Sequence, residues 1–240
     1  MKLAYDFHIH TALSPCADAD MTPNNIVNMA VLKELDVIAI TDHNSAENCQ
    51  PCVEAAANKG IIVIPGMELQ TKEEVHMLCM FRNIELVMVF QNYINSRLTG
   101  TMNTPQVFGN QLIFNKNDEI VGEENRMLIS SVNISIKEAC RIVEDLYGLI
   151  IPAHVDRTAY SIISNLGFIP KELPLKIAEV SKTCQIDRFL YNHPELSDYQ
   201  FIRNSDAHYL MDIMERDSTI EVEENTIECI FDALRNKIVS

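Results

Sequence analysis

The sequence predicts a single α/β domain whose strands deliver polar side chains to one rim. Three observations predict it. The chain has 240 residues, 47% of them hydrophobic, and single α/β barrels commonly run to roughly 200–250 residues. Short continuous apolar runs, such as Val37–Ile40 and Ile61–Ile64, alternate with helical periods, the pattern of strands covered on both faces. Histidines and carboxylates gather where those runs end.

The first strand closes on Tyr5-Asp6-Phe7-His8-Ile9-His10-Thr11. With a side-chain period of two, Leu3, Tyr5, Phe7 and Ile9 share one face and Asp6, His8 and His10 the other. Two imidazoles projecting together, about 6–7 Å apart along the backbone, can chelate a transition metal. A loop from Ala12 to Met21 follows. Thr22-Pro23 then reads as an N-cap and first helical residue of a helix to about Leu35. Strand Val37–Ile40 exits into Thr41-Asp42-His43-Asn44. A helix from about Ser45 to Lys59 is ended by Gly60. Strand Ile61–Ile64 leads to Pro65-Gly66-Met67-Glu68-Leu69. Glu74–Phe81 reads as a strand containing His76, and Asn83–Leu98 as a helix.

Between Thr99 and Ser131 the pattern changes. Two short β runs flank Asn115-Lys116-Asn117-Asp118, a hairpin turn signal, so residues 99–131 are expected to form an insertion or lid on a main domain spanning 1–240. Alternation then resumes. Ser135 caps a helix to Tyr147 before Gly148. Leu149–Val155 is a strand and its exit, carrying His154. Ala159–Leu166 is helical, Lys176–Ser181 a strand and Asp187–His193 a short helix or turn. Phe201–His208 is a strand with its exit, Ser218–Val222 a last strand and Thr226–Lys237 a closing helix. No internal repeat is visible.

Composition narrows the partners. A formal net charge of −15 argues against broad capture of nucleic acid through its phosphates, so long duplex nucleic acid is not expected. No apolar run approaches the roughly 18–20 residues that span a bilayer, and no membrane partner is expected. Seven scattered cysteines without a leader-like segment read as reduced thiols of a cytoplasmic protein. Cys49-x-x-Cys52 lacks a second pair and reads as structural, and Cys16 as a bystander. The sequence leaves the oligomeric state open.

Six of the seven histidines lie at or just past strands: His8, His10, His43, His76, His154 and His208. Glu68 and Asp206 occupy equivalent exits. Parallel α/β strands share one carboxyl-end rim, where active sites sit. Imidazole with carboxylate suits zinc, manganese or iron. Each residue has a plainer reading: His76 and His154 as satisfied core histidines, Glu68 as a capping acid, Asp18 and Asp20 as solvated loop acids. Asp42 reads as a partner of a ligand. Arg157 either clamps a phosphate or forms a structural ion pair.

Asp6-Phe7-His8-Ile9-His10-Thr11, Thr41-Asp42-His43-Asn44, Pro65-Gly66-Met67-Glu68, Pro152-Ala153-His154 and Ser205-Asp206-Ala207-His208 resemble the ordered motifs of the PHP (polymerase and histidinol phosphatase) superfamily. The resemblance implies a distorted (β/α)7 TIM-like barrel with two or three divalent ions, zinc, manganese or iron. It implies that His8, His10, Glu68 and Asp206 hold one ion, and that Glu68 bridges to a second on His76 and His154. Asp18, His43 and His208 would hold a third. A histidine common in the first loop of the family is missing, and Asp18 or Asp20 stands there; the spacing to Thr22 favours Asp18. The implied activity is metal-dependent hydrolysis of a phosphate ester by a hydroxide between the ions, on a nucleotide, short oligonucleotide or small phosphorylated metabolite. Arg157 would position the phosphate, while Asp206 and His208 manage protons. The alternatives are hydrolysis of a carbon–nitrogen bond and a non-catalytic metal-binding module.

Overall fold

The computed structural model describes residues 1–236; Lys237, the expected end of the last helix, lies outside them. Six strands form one curled sheet in the order β10-β1-β2-β3-β4-β7. They are β1 (Lys2–Ile9), β2 (Val37–Ile40), β3 (Ile62–Gln70), β4 (His76–Met80), β7 (Leu149–Pro152) and β10 (Thr219–Glu221). A parallel pair, β8 (Ile177–Ser181) and β9 (Gln200–Asn204), covers the side between β7 and β1. Val155 N donates to Glu179 O at 2.8 Å on one flank, and His10 N to Ala207 O at 3.0 Å on the other.

The result is a mixed α/β domain with a half-barrel sheet, and it departs from a regular β/α alternation in two places. A tight turn closed by Thr71 N to Val75 O, 3.0 Å, joins β3 to β4 where a crossover helix would stand. β4 therefore runs antiparallel to β3 and β7, and separately β10 runs antiparallel to β1. Antiparallel β4 begins where its neighbours end, so His76 at its first residue reaches the same rim.

Two apolar clusters hold the sheet. Leu3, Tyr5, Phe7, Val37, Ala39, Ile64 and Ile151 fill the concave side, plugged by Ile230, Phe231 and Leu234 of α8 (Ile227–Asn236). The convex side packs on α1 (Pro23–Leu32), α2 (Cys49–Ala55), α3 (Ile84–Asn95) and α5 (Ile136–Asp145). Ile9 belongs to this outer cluster and not with Phe7, contrary to the strict alternation expected. The β1–β2 register shifts between Asp6 and Ile9, and such a shift re-aims side chains.

Local chemistry sets the helix ends. Asn83 accepts from Leu86 N at 2.9 Å and Ser135 from Glu138 N at 3.2 Å, the N-cap contacts that satisfy orphan donors. The first two helices are shorter than expected: α1 ends at Leu32, and α2 runs only Cys49–Ala55 before turns that reach Gly60.

Residues 99–131 hold a one-turn helix, α4 (Pro105–Phe108), and the hairpin β5 (Leu112–Phe114) with β6 (Ile120–Glu123). The hairpin turn falls at Asn115–Asp118, with Asn115 Oδ1 accepting from Asn117 N and Glu119 N. The segment leans on the main domain. Leu112 N donates to Ala12 O at 2.9 Å, and Asn48 of the turn before α2 bonds Leu112 O and Phe114 N.

Candidate metal centre

Strand ends bring the expected residues together. His8, His10, His43, Glu68, His76 and His154 are buried, and Asp206 and His208 close the open side. Three groups have ligand atoms within 4.8 Å of one another: His8, His10, Glu68 and Asp206; His43, Glu68 and His76; and His10, His43 and His208. His154 Nε2 joins through Glu68 Oε1 at 3.1 Å. Glu68 is thus the hub, with His8, His76 and His154 around Oε1 and His10 and His43 around Oε2.

Neighbouring groups decide which nitrogen faces the hub. His8 Nδ1 lies 2.9 Å from Glu179 Oε1, leaving Nε2 3.3 Å from Glu68 and 3.2 Å from Asp206. His10 Nδ1 meets Ser14 Oγ at 2.9 Å, and Ser14 donates onward to Asp42 at 2.7 Å. Both imidazoles therefore engage Nδ1 with an outer partner and turn Nε2 toward the hub. That is the usual arrangement of metal-ligating histidines. Asp42 also accepts from Thr11 N and Oγ1, so it props the ligands and does not join them.

Some buried atoms at the hub are left without hydrogen bonds: His43 Nδ1, His76 Nδ1 and Glu68 Oε2. Yet His43 Nδ1 is 2.9 Å from Glu68 Oε2, and His76 Nδ1 2.8 Å from Glu68 Oε1. The atoms are close but the angles are wrong for hydrogen bonds. Leaving such groups unsatisfied costs a few kcal/mol each. A divalent cation between them removes that cost, and the nitrogen–oxygen donor set fits zinc, manganese or iron.

The electrostatics agree. Burial works against charge on His8, but Glu179, Asp206 and Glu68 hold its pKa well above the usual value. Burial, then the neighbouring His208 and His43, pushes His10 well below. Burial penalises the Glu68 and Asp206 carboxylates too, yet the imidazoles around them keep both well below the carboxylate range.

Three exits are backbone-strained. Asn44, His154 and Asp206 have φ of +48°, +31° and +53°, a region that non-glycine residues enter at a cost of order 1–3 kcal/mol and that recurs at functional sites. Beside them opens a cleft of about 450 Å³ bordered by His76, His154, Arg157, Tyr160, Asp206 and His208. Arg157 reaches across it to Asp206 Oδ2. Tyr160 stacks on His76, centroids 4.8 Å apart.

Asp18 and Asp20 stay outside the cluster. Asp18 is exposed, and its Oδ1 accepts from Asp20 N at 2.9 Å. Cys16 instead lies with its Sγ 3.1 Å from His208 Nε2. His193 sits apart on the surface near Glu195, and Cys49 donates to Gly66 O in the core. Glu179, Ser14 and Asn204 carry no role in the sequence reading; the signal for Glu179 was an acid inside the apolar run Ile177–Val180.

Among the described residues, no helix is long and apolar enough to cross a membrane. The solved structures similar to this chain include endonuclease Q in complex with a 27-mer duplex carrying an abasic lesion at the active site, with a TM-score of 0.69 and 18% identity. That match covers 98% of this chain and 57% of the other. A putative metal-dependent phosphoesterase from Bifidobacterium adolescentis has a TM-score of 0.59 at 18% identity, over 85% and 87% of the two chains. These likenesses bear on the fold. Among curated proteins, the 5′-3′ exoribonuclease Rnm of Escherichia coli is 36% identical over 74 residues, 30% of this chain and 24% of that protein. The chain thus spans about a quarter of the length of the curated relatives it matches.

One expectation is overturned by these relatives. Net charge counted against long duplex nucleic acid, but a neighbour of this fold holds a 27-mer duplex and a relative is an exoribonuclease. The physical error lies in summing charge over the whole surface, since contact with a phosphate depends on the field at the rim. The PHP domain family pattern matches residues 6–151, more than half of the chain, and carries His8, His10, His43, Glu68 and His76; the chain belongs to the PHP domain family.

Proposed function

We propose that the chain is a metal-dependent phosphoesterase that cleaves phosphodiester bonds in nucleic acid. The observation that carries this reading is Glu68, a buried carboxylate with imidazoles against both oxygens, set under a cleft lined by an arginine. His8, His10, Glu68 and Asp206 would hold one ion, and Glu68, His76 and His154 a second. His43 and His208 would serve a third. When bound, divalent ions supply an activated water and neutralise charge on the reacting phosphate. Arg157, 43% exposed at its side chain, then exchanges its contact with Asp206 for a phosphate oxygen, where a guanidinium binds in bidentate fashion. Asp206 would stay with its ion, and its edge released from Arg157 borders the cleft beside His208. Residues 99–131 are an insertion that shapes access: Asn44 of the β2 exit donates to Leu128 O and Ser130 O, tying it to the rim.

The test is a cleavage panel of end-labelled single-stranded and duplex RNA and DNA, with mononucleotides, in manganese, zinc or chelator. Metal-dependent cleavage that falls at least about 100-fold in His10→Ala is expected, the scale of losing a centre that lowers the pKa of its water. A fully metal-loaded protein that cleaves no phosphate ester sinks the proposal. Ammonia or amine release from amides would replace it with carbon–nitrogen hydrolysis.

A further inference from the structure

We propose that Cys16 is a metal ligand, its thiolate sharing the third ion with His43 and His208 where a first-loop carboxylate was expected. The inference rests on the metal-centre reading above but not on the substrate.

The first loop is built to aim this thiol inward. Ala17 N donates to Ser14 O at 2.9 Å, making a turn that holds Cys16 at its crest. Ser14 Oγ is itself anchored, accepting from His43 N at 3.1 Å and donating to Asp42. Asp18 N donates to His208 O at 2.9 Å, which pins the loop beside the strand exit carrying His208. The same turn sends the Asp18 side chain outward, to Asp20 N.

At the crest, Cys16 Sγ stands 3.1 Å from His208 Nε2. His208 Nδ1 donates to Asp206 O at 2.9 Å, so Nε2 carries a lone pair toward the sulfur. Ligand-to-ligand edges of a tetrahedral zinc site with nitrogen and sulfur donors are about 3.3–3.6 Å, from its bond lengths, so the sulfur needs to give only a few tenths of an ångström. His43 is buried, and with His10 and His208 it forms a ligand group beside the thiol's partner His208. Of the seven free thiols, Cys16 is the exposed one, while Cys49, Cys52, Cys79 and Cys140 are buried.

The chemistry differs from that of the other two positions. A thiolate with imidazoles selects zinc or another thiophilic ion, whereas imidazole with carboxylate also accommodates manganese. Metal uptake there releases the thiol proton to solvent. The centre therefore takes one softer ion beside two harder ones.

Cobalt(II) loading reads this directly, because thiolate-to-cobalt charge transfer gives a near-ultraviolet band that nitrogen and oxygen ligands lack. Native mass spectrometry counts the ions. The wild-type chain is expected to hold three ions and show the band. Cys16→Ser loses the band and one ion, Cys16→Asp keeps three ions without the band, and Asp18→Asn keeps both. Thermal melts of the variants check that each is folded. A band that survives in Cys16→Ser, or an ion lost from Asp18→Asn and kept in Cys16→Ser, overturns the inference. A wild-type chain with two ions and no band overturns it while leaving the remaining centre intact. Failure to take up any metal overturns the metal-centre reading as well.

Discussion

At the residue scale, Glu179 decides how His8 and His154 are held. Its two oxygens accept from His8 Nδ1, His154 N and Asn204 Nδ2 at 2.8–2.9 Å. All three partners are donors, so only a carboxylate satisfies them; an amide turns one N–H against another. Glu179→Gln is therefore expected to weaken metal binding about 10–100-fold, the cost of removing an outer partner of a metal-ligating histidine. Chelator competition on the folded variant measures this, and unchanged affinity would show that His8 is oriented by something else. The clustered histidines themselves were legible because histidine is rare and falls at strand exits. Glu179 was not, because its importance lies in three donors drawn from β1, the β7 exit and β9, far apart in sequence. Cys16 reads as a bystander from sequence because a single thiol in a loop gives no sign that His208 lies beside it.

At the scale of elements, regular alternation and its breaks both place ligands. The register shift in β1 sends Ile9 to the outer cluster, while His8 and His10 still bring their Nε2 atoms to 3.1 Å from each other. Antiparallel β4 brings His76 to the rim from its first residue. The insertion is fastened to the first loop at Gly109, whose φ of +100° suits glycine alone. A Cβ there would lie 2.0 Å from Pro15 O, so Gly109→Ala must push the insertion off the loop that carries Ser14 and Cys16. It is expected to cost about 1–3 kcal/mol, a melting drop of roughly 2–4 °C per kcal/mol. Substrate KM should change with it if the insertion shapes access. A melt and KM both equal to wild type would show that this contact holds nothing.

At the scale of the whole molecule, the centre ties β1, β2, β3, β4, β7 and the β9 exit together, so metal binding and folding are linked. A ligand at 100 times its Kd stabilises the native state by about 2.7 kcal/mol. Removing the metal with a chelator is thus expected to lower the melting temperature by about 5–10 °C for a chain of this size. Calorimetry with and without chelator, then with added zinc or manganese, checks it; an unmoved melt would show the site to be filled weakly or not at all. The net charge of −15 is a property of the same scale, and it misled as a guide to partners because it averages over surfaces that never meet a substrate. The sequence by itself determined the α/β class, the order of most elements, the hairpin turn at Asn115–Asp118 and the polar residues at strand ends. Apolar period and turn chemistry are local, and they write themselves into neighbouring residues. Only the tertiary structure decided that β4 runs antiparallel, that β8 and β9 pair beside β7 and β1, that Asp18 turns outward while Cys16 faces His208, and that five imidazoles surround the two oxygens of Glu68. Each of those depends on contacts between segments tens to hundreds of residues apart, whose geometry no local pattern encodes.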